Sequence, residues 1–315
     1  MHSEDSSAEL SARAAVIVLT LNAGAHMPAL LASLSALQTP PRRVLFVDSS
    51  SDDDTAALAA NAGHQVHGIR RADFGHGRTR NVAARLCEDC DFLVYLTQDA
   101  CPQGPDWLPR LLGPFADTQV ALVYGRQLPR LSAGASERYA REFNYPPQPD
   151  RTQREDLARR GIKAVFCSNS FAAYRREALA AIGGFPERLP MGEDMAAALR
   201  LLQNGHARVY QPSALAVHSH GYSIAEEFRR YFDIGVLMSI DQELSRVRLA
   251  ASGEGLRFLR GELVAAWTPA RPQAIVGVVV RAVAKYLGFF LGRRHAALPG
   301  AWRPRLSMHS FFWSR

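Results

Sequence analysis

Residues 92–102 read FLVYLTQDACP. The apolar run Phe92 to Leu96 has no polar interruption and then gives way to Thr97-Gln98-Asp99 and a proline at 102. Such a run predicts a strand buried on both faces, as in a parallel sheet covered by helices. Open sheets of this kind bind ligands just beyond the carboxyl ends of their strands. Asp99 falls there, and its carboxylate suits a metal ion at the centre of a site. An Asp in that position also caps turns and helices, so its meaning depends on the rest of the chain.

Upstream, Ala14 to Leu21 (AAVIVLTL) reads as a second buried strand, broken at Asn22-Ala23-Gly24. Pro28 opens a helix whose stripe is Leu30, Leu31, Leu34 and Leu37. Val44 to Val47 is another strand, stopped by the polar run Asp48 to Thr55, and Ala56 to Asn61 is helical up to Gly63. The order β-α-β-α predicts a parallel sheet with right-handed crossovers. Asp48, at a strand end, is placed to accept from a ribose hydroxyl or a base N–H, or to make an Asx-turn. No G-x-G-x-x-G follows the first strand, which argues against a dehydrogenase-type dinucleotide site. In DFGHGRTRN, residues 73–81, Gly75, Gly77, Arg78, Arg80 and Asn81 lead into a helix, a pattern that suits an anion such as a diphosphate.

Downstream, 107–115 predicts a helix, 120–124 a strand and 128–160 a loop-rich flap. Residues 165–167 predict a strand with a polar loop after it, and 174–182 a helix. Glu193 and Asp194 precede the helix 195–203, where acids cap and complement the dipole; Asp194 in a cleft would instead be a general base. After a short strand at 209–210 comes His218-Ser219-His220. Alternation places both imidazoles on one face. With a carboxylate they suit Mn²⁺ or Mg²⁺ holding a phosphate.

The 315 residues and 47% hydrophobic content allow a sizeable core. The formal charge of +7 is carried almost wholly by arginine, with Lys163 and Lys285 the only lysines. Arginine forks suit phosphate. The arginines are scattered rather than striped, and no nucleic-acid motif is present, so no nucleic-acid partner is expected. Cys87 and Cys90 form a lone C-x-x-C, without the second pair a zinc site needs; free thiols are expected. Residues 1–13 read as a disordered lead-in.

The C-terminal part reads as helices over 222–250 and 255–267, then QAIVGVVVRAVAKYLGFFL over 273–291. Arg281 and Lys285 interrupt the last run, so no window of about 20 uncharged apolar residues marks a membrane span. The pattern suits a helix lying in an anionic membrane interface, with basic residues snorkelling. A core or dimer helix would show the same pattern.

Taken in order, VIVLTLN, FVDSSSDDDT, FGHGRTRN, YLTQDACP, GGFPE, GEDM and HSH resemble glycosyltransferase family 2, the inverting enzymes of the GT-A fold. More narrowly, FGHGRTRN and LTQDA resemble the bacterial rhamnosyltransferases that use dTDP-L-rhamnose. The resemblance implies an α/β fold with a mostly parallel sheet flanked by helices, a catalytic domain over 14–240 and a helical extension over 241–315. It implies that Thr20, Asn22 and Asp48 hold the nucleoside, and that Arg78, Asn81, Gln98 and Asp99 line the nucleotide-diphosphate pocket. Asp99 with His218 or His220 would hold Mn²⁺ or Mg²⁺, and Asp194 would be the base. Thr97 stands where the first Asp of the family's D-x-D motif is usual. The Gln-x-x-Arg-Trp motif of processive synthases is absent, which implies addition of one or few sugars. The implied partners are a nucleotide-diphospho-sugar donor and a saccharide or lipid-linked acceptor, with the enzyme cytoplasmic and peripheral at the inner face of the cell membrane. The alternative is a non-catalytic, membrane-associated scaffold that keeps the fold.

Overall fold

The structure is a computed structural model that describes residues 8–247, 254–267 and 274–314. Every side chain of β1 (Ala14–Thr20) is buried, because the strand has a parallel neighbour on each side and helices over both faces. Its neighbours are β2 (Arg43–Asp48) and β4 (Phe92–Thr97), and β3 (Gln65–Gly68) continues the sheet beyond β2. Three helices cover this half. In α1 (Met27–Ser35), Met27, Leu30 and Leu34 point inward. The others are α2 (Thr55–Asn61) and α3 (His76–Leu86).

The second half of the sheet is built from β5 (Cys101–Gln103), β6 (Val120–Leu128), β7 (Asp150–Thr152), β8 (Phe171–Arg175) and β9 (Ala207–Val217). The order is β3-β2-β1-β4-β8-β6-β9-β5, with β7 on β9. Strand β8 runs antiparallel to both β4 and β6, so the sheet is mixed rather than mostly parallel. The strand expected at 165–167 is absent. Ile162–Val165 is a helical turn, and the strand lies instead at FAAYR, where the 174–182 helix was expected to begin. Its two alanines carry no strand signal; burial between β4 and β6 overrides local propensity. That helix is confined to Arg176–Ala181. The flap 128–160 is also more ordered than its composition suggests, holding α4 (Ala135–Asn144) as well as β7.

Residues 8–12 are helical, and Leu10 and Ser11 are buried, so the expected lead-in does not extend past residue 7. Residues 1–7 lie outside the described residues. All four cysteines are free. Burial pushes the Cys87 thiol up to about 12, which makes it inert.

After α5 (Glu193–Gln203), the C-terminal part consists of α6 (Ile224–Ile240), α7 (Glu254–Ala266) and α8 (Ala274–Arg293). A capping box of Ser223 and Glu226 starts α6. Pro269 and Pro272, whose rings would end a helix between 267 and 273, lie outside the described residues. By length and composition α8 is long and apolar enough to cross a membrane, contrary to the expectation for 273–291. One side of it packs on α6 through glycines. A Cβ on Gly288 would lie 2.3 Å from the Phe228 carbonyl oxygen, and one on Gly292 would lie 2.0 Å from that of Phe232. The chain end folds back onto α6 as well. The buried Asp233 accepts from the Ser307 hydroxyl at 2.6 Å and from the N–H groups of Met308 and His309 at 2.9 and 3.2 Å.

Gly292→Ala tests this packing. Alanine favours a helix by about 1 kcal/mol, whereas forcing a methyl into a closed contact costs about 1–3 kcal/mol. The expected outcome is a lower urea midpoint at unchanged slope. A raised midpoint would show that α6 and α8 do not touch there.

Candidate active site

Strand β5 pairs antiparallel with the end of β9, setting Cys101 opposite Val217. That register brings Asp99, just before β5, next to the histidines just after β9. His218 Nε2 lies 3.5 Å from one Asp99 oxygen, and His220 Nε2 lies 3.4 Å from the other. Both histidines therefore reach the carboxylate, although β9 ends before them. The three ligand atoms lie within 4.8 Å of one another. Gln127 Oε1 accepts from Arg141 at 2.7 Å and lies 2.8 Å from His218 Nδ1. An oxygen that accepts makes Nδ1 a donor, which leaves Nε2 facing Asp99. Burial and the neighbouring His218 lower His220 to about 4, so it is neutral near pH 7. A carboxylate and two imidazoles converging on one point fit a divalent cation, and the Gln127 contact orients His218 from behind.

Asp194 enters the same cavity, of about 1610 Å³, from the start of α5. Gly192 makes the entry, with φ of 80° and its Cα against Leu237; a Cβ there would be 2.4 Å from a Leu237 methyl. Next to it the buried Glu193 pairs with the buried Arg80 of α3 at 2.9 Å. Asn169 binds both acids. Its side chain donates to Glu193 at 3.1 Å and its backbone N–H donates to Asp194 at 3.2 Å, while Tyr174 donates to its carbonyl oxygen at 2.7 Å. Burial and the Glu193 charge push the Asp194 carboxyl up to about 7, against the pull of Arg80. A carboxylate poised there is suited to take a proton near neutrality.

Thr20, Asn22, Asp48 and Gln98 gather at the tips of β1, β2 and β4. Thr20 donates to Asp48 at 3.0 Å, and Ser51 donates to Asp48 through its N–H at 2.9 Å. Asn22, at φ 49°, accepts from the Asp52 N–H. Gln98 clamps the Leu21 backbone at 2.8 and 3.1 Å. This cluster adjoins Asp99 along the chain, but none of the four lines the cavity that holds Asp194.

The helix entry at 73–81 does something other than expected. The Asn81 side chain bonds the Phe185 N–H, the Phe185 carbonyl and Glu187 at 2.9, 2.9 and 3.0 Å. It fastens the GGFPE turn to α3 and has little capacity left for a phosphate. Arg78 lies 3.7 Å from Asp73 and outside the cavity lining. Arg80, which looked like an anion binder, is the partner of Glu193. Sequence reasoning missed Asn169 altogether, since a polar loop residue carries no periodic signal. The adjacency of Glu193 to Asp194 was the signal for the ion pair.

Comparison with known proteins decides the class. The family model described as "Glycosyl transferase family 2" matches residues 15–183. The O-antigen chain rhamnosyltransferase WbaN of Salmonella anatum is 38% identical over 300 residues, 95% of each chain. RfbN of Salmonella typhimurium, with the same description, is 37% identical over the same share. The chain belongs to glycosyltransferase family 2. The N-acetylglucosaminyl-diphospho-decaprenol L-rhamnosyltransferase of Mycobacterium tuberculosis is a more distant relative, 29% identical over 67% of this chain and 78% of its own. Among solved structures, a mannosyltransferase of Pyrobaculum calidifontis in complex with GDP-Man and Mn²⁺ superposes with a TM-score of 0.56 at 18% identity, over 95% of this chain and 84% of its own. That likeness bears out the GT-A fold. As a family 2 glycosyltransferase the chain is an enzyme, and the scaffold alternative is not favoured.

The raised pKa of Asp194 makes a prediction in two parts. In the fold the acid form is favoured, because the carboxyl is raised from its ordinary 3.8 to about 7. That contribution to stability is complete below about pH 4 and is lost as pH rises through about 7. Asp194→Asn does not titrate, so its melting temperature should gain on the wild type between about pH 5 and about pH 8. Over the same range kcat/KM of the wild type should rise with an apparent pKa near 7, because the base must be ionised. A pH-independent difference in melting temperature would show that Asp194 titrates normally.

Proposed function

We propose that this glycosyltransferase moves L-rhamnose from dTDP-L-rhamnose to a hydroxyl of a saccharide acceptor carried on a lipid, for O-antigen-type polysaccharide at the inner face of a cell membrane. The observation that carries this reading is the shared cavity. Asp194 and the Asp99–His218–His220 cluster face one space, a base at one wall and a cation site at another. The near-full-length similarity to two O-antigen rhamnosyltransferases supports the sugar.

Thr20, Asn22 and Asp48 are the nucleoside-binding group in this reading. Asp99, His218 and His220 would hold Mn²⁺ or Mg²⁺, which supplies positive charge for the departing diphosphate. Asp194 takes the proton of the acceptor hydroxyl. The hydroxyl oxygen bonds to the anomeric carbon as the bond from that carbon to the diphosphate oxygen breaks on the opposite face, so the configuration inverts. On the acceptor side Phe143, Phe258, Ala266 and Val278 give the cavity an apolar flank next to α7 and α8, which supports a lipid-linked acceptor.

The outward face of α8 supports membrane contact. Val276, Val279, Val283, Tyr286, Leu287 and Phe290 form one stripe, each at least 39% exposed, and Arg293 and Arg294 follow it. On the opposite side Arg281 and Lys285 pair with Glu227 at 3.3 and 3.5 Å. Three charged groups on the side packed against α6 favour a helix lying on the surface over one that crosses it.

Thermal shift with a panel of sugar nucleotides, each with Mn²⁺ or Mg²⁺, tests the donor. Saturating dTDP-L-rhamnose at a hundred times its Kd should add about 2.7 kcal/mol of stability, and Asp99→Ala should lose the metal-dependent part. A shift with another sugar nucleotide only would reassign the sugar. With donor bound, Asp194→Asn should cut kcat by about 10²–10⁴-fold; near-normal turnover would remove Asp194 from the mechanism.

Flotation with phosphatidylglycerol-containing vesicles tests the surface. Wild type should float, and the double variant Val283→Glu, Leu287→Glu should stay with the soluble fraction. Equal flotation of the two would rule out α8 as the contact.

A further inference from the structure

We infer that Arg230 is a ligand for the donor's diphosphate, contributed by the C-terminal helical part rather than by the sheet. This rests on the donor reading above. Arg230 lines the cavity shared by Asp99 and Asp194. It connects to the cation site through three aromatic contacts. The His218 and His220 rings are 4.7 Å apart, His220 stacks on Tyr222 at 5.0 Å, and the Arg230 guanidinium lies 5.7 Å from the Tyr222 ring.

The pairing of charges singles this residue out. Among the described arginines of the cavity lining, Arg80 pairs with Glu193, Arg130 with Glu137, Arg160 with Asp150 and Arg281 with Glu227, and Arg141 donates to Gln127. Arg230 alone has neither a hydrogen bond nor a carboxylate within salt-bridge distance. The acids on its own helix are committed elsewhere. Glu226 caps the helix at Ser223, Glu227 holds Arg281 and Lys285, and Asp233 is taken up by Ser307, Met308 and His309. The latched chain end thus takes up the hydrogen-bonding capacity of Asp233, three residues on from Arg230. His76 and His309, which line the same cavity, have rings 4.8 Å apart. Burial lowers both, followed by Arg80 for His76 and by His76 for His309, with Arg230 a smaller cause in each, so they are neutral and offer no competing charge. An arginine fork with no carboxylate in salt-bridge distance, beside the candidate cation site, matches phosphate oxygens in charge and geometry.

Calorimetric titration of full-length protein with dTDP and with thymidine, in Mg²⁺, tests the assignment. Arg230→Ala should weaken dTDP by about tenfold or more and leave thymidine binding unchanged, with Arg230→Lys in between. Wild-type affinity of Arg230→Ala for dTDP would overturn it, as would an equal loss for thymidine, which marks a merely structural role. If wild type binds UDP or GDP but not dTDP, the donor reading fails, and the same comparison with that diphosphate and its nucleoside decides Arg230. A wild type that binds no nucleoside diphosphate overturns both.

Discussion

The buried pair of Arg80 and Glu193 is the contact on which the catalytic half of the molecule depends. It joins α3, which covers the parallel half of the sheet, to α5, which carries Asp194. Both side chains are at most 6% exposed, so each would be a costly isolated charge without the other. The pair is also supported from the sides. Asn169 donates to Glu193, and Arg80 donates to the His76 carbonyl at 3.0 Å. With Glu193 held in place beside it, Asp194 feels burial first and the neighbouring acid second. One structural pair thereby sets the position of Asp194 and raises its pKa.

The cation site is assembled independently, by strand register. The short β5 contributes little burial, yet its pairing with the end of β9 decides where Asp99 meets His218 and His220. Gln127, on β6, then orients His218. Thr97 stands where the first acid of the D-x-D motif is usual, and in the proposed site a second imidazole would make up the ligand count. The two sites meet in one cavity because β4 and β9 both deliver their carboxyl ends to it, while α5 approaches from the side through Gly192.

The helical C-terminal part is integrated with the catalytic domain. Glycines bring α8 against α6, the chain end latches onto Asp233, and His309 packs on His76 at the entry of α3. The apolar stripe of α8 faces away from this junction, which leaves it available while the opposite side of the helix is occupied by α6.

Much of this was legible in the sequence. Continuous apolar runs marked β1, β2 and β4, because strands buried on both faces need no alternation. Carboxylates and imidazoles just beyond strand ends marked Asp48, Asp99 and His218, since chemistry in such sheets collects at that edge. The ordered motifs identified the family. Other features were not legible. FAAYR became an antiparallel strand because its neighbours bury it, and alanine carries no local signal for that. Asn81 and Arg80, in a segment rich in anion-binding residue types, were taken up by Phe185, Glu187 and Glu193, residues more than 100 positions away. Residue type and spacing determined which groups could bind a nucleotide, hold a cation or move a proton. Only the tertiary structure decided which of them remain free to do so, because a buried polar group takes the partner that folding brings within hydrogen-bond reach, however distant in sequence.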